Sequence, residues 1–266
     1  MYPMLTYPRS CRLVISATAV IAASMNCSYA APANAVPDAA ILVHHVHLKG
    51  GGFDRTVSDL LEYVTGVCQG MGKDPGRIPT GEKAISTEED IYYTLGGSTT
   101  HIRTRQYSVD PQSCTLKRKE KYEVTMHTSA GVCQIKPDLK RAAGYCEVQP
   151  LLTTWTGPAH TNRSVLPTER HMEIAGYKCR IWAGEFNGMN MERCIAGNGR
   201  FASAHLDAHS APGLVLKTAT WLSKFPAERT SDYEATAVES DTHVPLGTIA
   251  PHITGGYEVI QTGKAR

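Results

Sequence analysis

Residues 101–127 read HIRTRQYSVDPQSCTLKRKEKYEVTMH, and this stretch decides the fold class. His101–Val109 and Lys119–His127 are rich in β-branched and aromatic residues, as strands are. Asp110-Pro111 between them marks a change of direction. Upstream, Ile91-Tyr92-Tyr93-Thr94-Leu95 runs into Gly96-Gly97 and reads as another strand end. Downstream, Cys133 to Val148 forms a second hairpin around the turn signal Pro137-Asp138. After a Pro- and hydroxyl-rich passage, Arg170–Ile174, Tyr177–Trp182, Met191–Ala196, Thr218–Phe225 and Tyr233–Val238 are further strands. One segment carries the helical period instead: Val57, Leu60, Leu61, Val64 and Val67 recur at spacings of three and four, which predicts a helix over 56–68 ended by Gly70 and Gly72. The chain is therefore expected to be β-rich (α+β), mainly antiparallel, with one clear helix.

The composition agrees with a globular protein. Of 266 residues, 42% are hydrophobic, 7% aromatic and 20% charged, which excludes collagen, coiled coil and wholesale disorder. A net charge of +2 is too small to suggest a nucleic-acid binder.

The N-terminus reads as an export address. Arg9 and Arg12 precede the apolar run Leu13–Met25, which is followed by Ser28-Tyr29-Ala30-Ala31 with small residues where a signal peptidase reads. Residues 1–30 are thus expected to be a signal peptide cleaved near Ala30, delivering the chain to the periplasm or beyond. The apolar run is shorter than the roughly 20 residues a membrane-spanning helix needs, and no transmembrane segment is expected in the mature chain. Cys27 lacks the flanking residues of a lipidation site. Losing Arg9 and Arg12 from the 27 basic residues leaves a chain balanced by its 25 acids.

Cleavage also leaves an even set of cysteines, Cys68, Cys114, Cys133, Cys146, Cys179 and Cys194, with no Cys-x-x-Cys spacing among them. In an exported chain this reads as a disulfide framework. Six cysteines allow about 15 pairings. Local turn signals favour Cys133 with Cys146 and Cys179 with Cys194 across hairpins, leaving Cys68 for Cys114.

The domain reading places a flexible leader at 31–52, holding a short strand at Ile41–Leu48. An N-terminal α+β half follows at 53–148, then a linker at 149–168 and a C-terminal antiparallel β half at 169–262. Ala130-Gly131, Ala143-Gly144 and Ala175-Gly176 each precede an apolar residue and a cysteine. No constant period accompanies them, so a recurring glycine turn is favoured over a true repeat.

Few motifs carry chemistry. Gly197-Asn198-Gly199-Arg200-Phe201-Ala202 matches a dinucleotide fingerprint in letters but opens no helix, and reads as a turn. Gly76–Gly81 has phosphate-loop spacing with Glu82 where a Lys is needed. No nucleophile elbow and no zinc-protease helix is present, and no cofactor is expected. Asn162-Arg163-Ser164 is a glycosylation sequon. Two histidine clusters stand out: His44, His45 and His47, and then His205, Asp207 and His209. Residues two apart on a strand share a face, so either cluster could present metal ligands. Between His101 and Arg141 lie nine Lys/Arg against four Asp/Glu, a basic strand face suited to solvent, lipid headgroups or an acidic partner.

The second half carries a resemblance. Ile174-Ala175-Gly176-Tyr177-Lys178-Cys179-Arg180-Ile181-Trp182, Met191–Ala196, Gly213-Leu214-Val215-Leu216-Lys217, Tyr233–Glu239 and Val244-Pro245 resemble a group of small exported bacterial proteins of unknown function. That group is similar to the periplasmic lipoprotein carriers. The resemblance implies a strongly curved antiparallel sheet with helical segments over its concave side, and in the carriers that hollow shelters acyl chains.

The expected function is a non-catalytic binding or assembly role in the envelope, with an apolar or lipid ligand or another envelope protein as partner. An apolar hollow in the second-half sheet is its expected place. Metal binding through a histidine cluster is the alternative, and a hydrolase with a non-local active site comes third.

Overall fold

The computed structural model describes residues 40–52, 54–154, 165–186, 188–197, 213–224 and 229–261. The chain begins with β1 (Ala40–Gly52), α1 (Asp54–Gly70), β2 (Ile85–Tyr93), β3 (Gly97–Asp110), β4 (Thr115–Thr128), β5 (Gly131–Lys136) and β6 (Arg141–Gly144). It continues with α2 (Gln149–Leu152), β7 (Val165–Ile174), β8 (Tyr177–Phe186), β9 (Met189–Ala196), β10 (Leu214–Leu222), β11 (Arg229–Pro245), α3 (Leu246–Ile249) and β12 (Glu258–Gln261). The signal-like segment ending at Ala30, the sequon at Asn162 and the cluster His205, Asp207 and His209 all lie outside the described residues.

The described strands make one twelve-stranded sheet in the order β12-β6-β5-β4-β3-β2-β1-β11-β10-β9-β8-β7. Neighbours run antiparallel except β12, which lies parallel to β6. Residues 101–127 fall in the longest unbroken pair among the described strands, with β3 and β4 in register from Gly97↔Thr128 to Asp110↔Thr115 around the expected turn. Gly97 begins that pair because a Cβ there would stand 2.0 Å from the His127 carbonyl oxygen.

β1 departs most from expectation. Residues 40–52 were predicted as leader with a short strand at 41–48. They form a full strand between β2 and β11, and this strand joins the two halves. Val43, Val46 and Leu48 are fully buried. A register shift between Val43 and His45, and another between His47 and Leu48, break the period-two alternation that marks a strand in sequence. The sheet is thus continuous across the expected division, and Ala35–Arg266 is one compact unit. The expected linker supplies α2, whose Leu151 is buried, and the first residues of β7.

The predicted helix is present and slightly longer, spanning Asp54–Gly70. Leu61 and Val64 pack with Cys68, Val109, Cys114 and Leu116, fixing α1 to the turn end of β3 and β4. At the other end of the same face, Leu151, Leu246, Ile249 and Ala250 cover Val124, Met126, Cys133 and Ile135. The second half curls: β1 approaches β10 across β11, and β11 approaches β7. This curvature brings Ile174, Cys179 and Ile181 into one core with Val46, Leu48, Ile91 and Tyr93.

Disulfides join Cys68–Cys114, Cys133–Cys146 and Cys179–Cys194, the pairing that local turn signals favoured. Each closes a loop and restricts the unfolded chain, which contributes about 2–4 kcal/mol apiece. The glycines of the recurrent Ala-Gly dipeptides, Gly131, Gly144 and Gly176, all have positive φ. A side chain would be strained there, so the echo records a shared turn requirement.

Candidate functional site

The face of the sheet that α1 and the C-terminal segment partly cover carries the densest polar cluster. Register places His45 beside Tyr92, His47 beside Asp90, Asp90 beside His101, and Arg103 beside Tyr122. Residues two apart on each strand share this face, so four strands deliver their polar side chains to one surface. Asp90 is its centre. His45 Nε2 donates to Asp90 Oδ1 at 3.0 Å, and His47 Nδ1 donates to the same oxygen at 2.8 Å. Arg103 Nη1 donates to Oδ2 at 3.0 Å. The His45 hydrogen bond holds the Asp90 carboxyl far below the usual range; burial opposes this and the His47 bond reinforces it.

The rings are ordered around this ion. His45 stacks on Tyr92 at 4.5 Å between centroids, and Tyr92 meets His101 edge-on at 5.3 Å. His101 Nδ1 shares a 2.7 Å hydrogen bond with the Tyr122 hydroxyl. Burial pushes the His101 imidazole down to about 4; the charge of Asp90 opposes the shift and that of Arg103 adds to it. Arg103 lies over the Tyr122 ring at 5.3 Å. A second perturbed carboxylate, Glu89, lies on the other face of β2, where burial raises it and the Arg193 charge works against the rise.

Beside the cluster, between α1 at one end and the C-terminal cover at the other, a cleft of about 330 Å³ remains open. Its lining includes Glu88, Arg103, Arg105, Glu120, Tyr122 and Asp138. Both signs of charge interleave along it, and Tyr122 gives it an aromatic patch.

The structure separates the histidines that the sequence grouped. His45 and His47 share Asp90, while His44 points to the opposite face, is buried, and accepts the Asp241 backbone N–H at 3.2 Å. Among the described residues no three His, Cys, Asp or Glu side chains form a group that could hold a metal. The two shared histidines spend a nitrogen each on one carboxylate oxygen. All six predicted cysteines are consumed in disulfides.

A cleft lies in the second half, where the sequence places an apolar hollow. The cleft there, about 450 Å³, is lined by Arg170, Glu192, Arg193, Lys217 and Asp232 as well as Met172 and Ile181. Charged side chains alternate with apolar ones on these strands because the curled sheet already uses its apolar residues for its own core. Sequence reasoning missed Asp90, Arg105 and Tyr122. The period-two series His101, Arg103, Arg105 was visible, but nothing in the sequence placed Asp90 opposite His47.

No protein-family profile matches this chain, and no curated protein is significantly similar to it. Solved structures of PNGF-II in two crystal forms are similar to it. The C2 form has a TM-score of 0.36 and 10% identity, covering 83% of this chain and 31% of that one. The P21 form has a TM-score of 0.41 and 12% identity, covering 83% and 32%. This chain spans about a third of their length, and the overlap defines no family for it. What its own fold and site define is a disulfide-braced antiparallel β protein with a polar cleft on one face.

Proposed function

We propose that this chain is an exported envelope protein with a non-catalytic binding role, and that its ligand occupies the cleft between α1 and the C-terminal cover. The carrying observation is the state of Asp90. Its two oxygens receive three donors, so it is held as an immobile anion that orders Arg103 at the cleft rather than as a base free to take a proton. A site whose polar groups are fixed before the ligand arrives loses little conformational freedom on binding. The three disulfides suit an oxidising, extracytoplasmic location. The signal-like residues 1–30 supply the route, and no described helix is long and apolar enough to cross a membrane.

The test is native mass spectrometry of the full chain expressed with its own N-terminus and purified from periplasm. The expected species begins near Ala31, has all six mature cysteines oxidised, and carries a bound small molecule that Tyr122→Ala abolishes. Uncleaved protein with free thiols would overturn export. A ligand-free protein that turns over esters or peptides would overturn the non-catalytic role.

A lipid or other apolar ligand is the second reading, favoured by one observation. A cleft of about 430 Å³ beside α1 has Leu61, Ile78, Ala84 and Leu116 in its lining, with Glu62, Arg77, Glu82 and Lys83 among them. The same spectrum separates the two, because an apolar ligand there would survive Tyr122→Ala and be lost in Leu61→Asn.

A further inference from the structure

Helix α1 has two apolar faces, and the fold uses one of them. Leu61, Val64 and Cys68 pack inward with Val109, Cys114 and Leu116. Leu60, Tyr63, Val67 and Met71 follow a separate line at spacings of three and four, which sets them along one side of the helix. Met71 extends the line just past Gly70, its backbone N–H still bonded to the Val67 carbonyl at 3.2 Å. These four side chains are 61%, 70%, 46% and 54% exposed. Together they present roughly 500 Å² of apolar surface, the size of patch that in a folded chain is often functional. Gly66 and Gly70, one turn apart, flank the line. A glycine in a helix interior costs about 1 kcal/mol against alanine. The fold itself gives no reason for either one, because a Cβ at each would meet no neighbouring atom within 4 Å. Bare backbone at these positions lets another helix come close.

We infer that this face of α1 docks a second copy of the chain, the two helices running antiparallel about a two-fold axis near Thr65 and Gly66. The line is nearly palindromic about that point. Reversing one copy sets Leu60 opposite Met71 and Tyr63 opposite Val67, and a two-fold interface repeats each pair. The helix ends are complementary as well. Asp59 and Glu62 lie in the first half of α1 and Lys73 follows its C-terminus, so antiparallel pairing brings acid towards base and opposes the helix dipoles. Covering the line on both copies buries roughly 1,000 Å², the lower bound for a specific association, which makes the contact a reversible one. A lipid surface fits this helix less well: residues 56–70 carry Asp59 and Glu62 but no Lys or Arg, the residues that interfacial helices carry. None of the four apolar residues lines the cleft that holds Tyr122, so the inference stands or falls separately from the ligand-binding role.

Sedimentation equilibrium of the oxidised mature chain, from low to high micromolar concentration, tests this. A monomer–dimer equilibrium is expected. Tyr63→Glu and Val67→Lys are each expected to weaken it at least about tenfold, as loss of an interface anchor does. An equimolar mixture of those two variants recovers a heterodimer, because antiparallel packing sets the new acid against the new base. Gly66→Leu abolishes the dimer while circular dichroism shows the helix retained. Leu139→Glu, at an exposed apolar residue elsewhere, leaves the dimer unchanged. Monomer at every concentration, a dimer indifferent to Tyr63→Glu and Gly66→Leu, or no recovery in the mixture overturns the inference. A monomer that instead floats with phosphatidylcholine vesicles, and ceases to in Tyr63→Glu, assigns the face to a lipid surface and overturns it as well.

Discussion

Asp90 illustrates how one carboxylate can organise several strands. It sits on β2, takes donors from β1 and β3, and so ties three neighbouring strands through side chains as well as backbone. Asp90→Asn keeps the size but removes the charge and gives one oxygen's place to a donor. This substitution is expected to lower the unfolding free energy by about 2–4 kcal/mol in urea titration, because it leaves clustered donors short of an acceptor. Arg105→Met should behave differently. It removes a half-exposed guanidinium ion-paired to Glu120 at 3.5 Å and Glu82 at 3.9 Å, and solvent-screened pairs of this kind contribute little, so stability is expected to change by less than about 1 kcal/mol in urea titration. His101 sets a pH dependence. Burial holds its folded pKa at about 4, below the usual imidazole value of about 6.5, so the unfolded chain takes up the proton first as pH falls. The contribution is complete above about pH 7, declines from 6.5 downward, and is fully lost below 4. Between pH 7 and 5 the decline is expected to be about 2 kcal/mol, and His101→Gln should flatten it in parallel urea titrations.

At the level of elements, the braces differ in reach. Cys68 and Cys114 are separated by 46 residues, against 13 for Cys133 and Cys146. Chain-entropy arguments give about 4 kcal/mol for the longer loop and about 3 for the shorter. The longer brace also fastens α1, which otherwise rests on Leu61, Val64 and their few partners. The double substitution Cys68→Ser/Cys114→Ser is therefore expected to cost more than Cys133→Ser/Cys146→Ser in urea titration. It should also speed amide exchange in α1 before the rest of the sheet. Equal costs with α1 still protected would assign the helix's hold to packing alone. Helix α1 was legible because its core-facing residues follow the three-and-four spacing without interruption. β1 was not, because its bulges put Val43 and Val46 three apart, a spacing that belongs to no strand.

For the whole molecule, the position of β1 decides cooperativity. Backbone pairing runs without a break from the first half through β2, β1 and β11 to the second, and Leu48 of β1 belongs to the core shared with β8 and β10. A single calorimetric transition is expected for the oxidised chain. Leu48→Ala should lower that transition as a unit, by about 2–5 kcal/mol, without splitting it. Two separable transitions would mean that the halves fold independently despite the shared strand.

The β-rich class, the long helix α1, the strand pair around Asp110-Pro111 and the two short-loop disulfides were all determined by the sequence alone, because each depends on residues near one another in the chain. Periodicity, turn chemistry and short cysteine loops are local quantities. The cluster on Asp90 and the cleft between two covers were decided only by tertiary structure. Asp90 meets His47 from 43 residues away, and the carboxylates paired with Arg105, Glu120 and Glu82, come from another strand and from a loop. Which strand lies beside which depends on the energy of the whole sheet, and no window of sequence contains it.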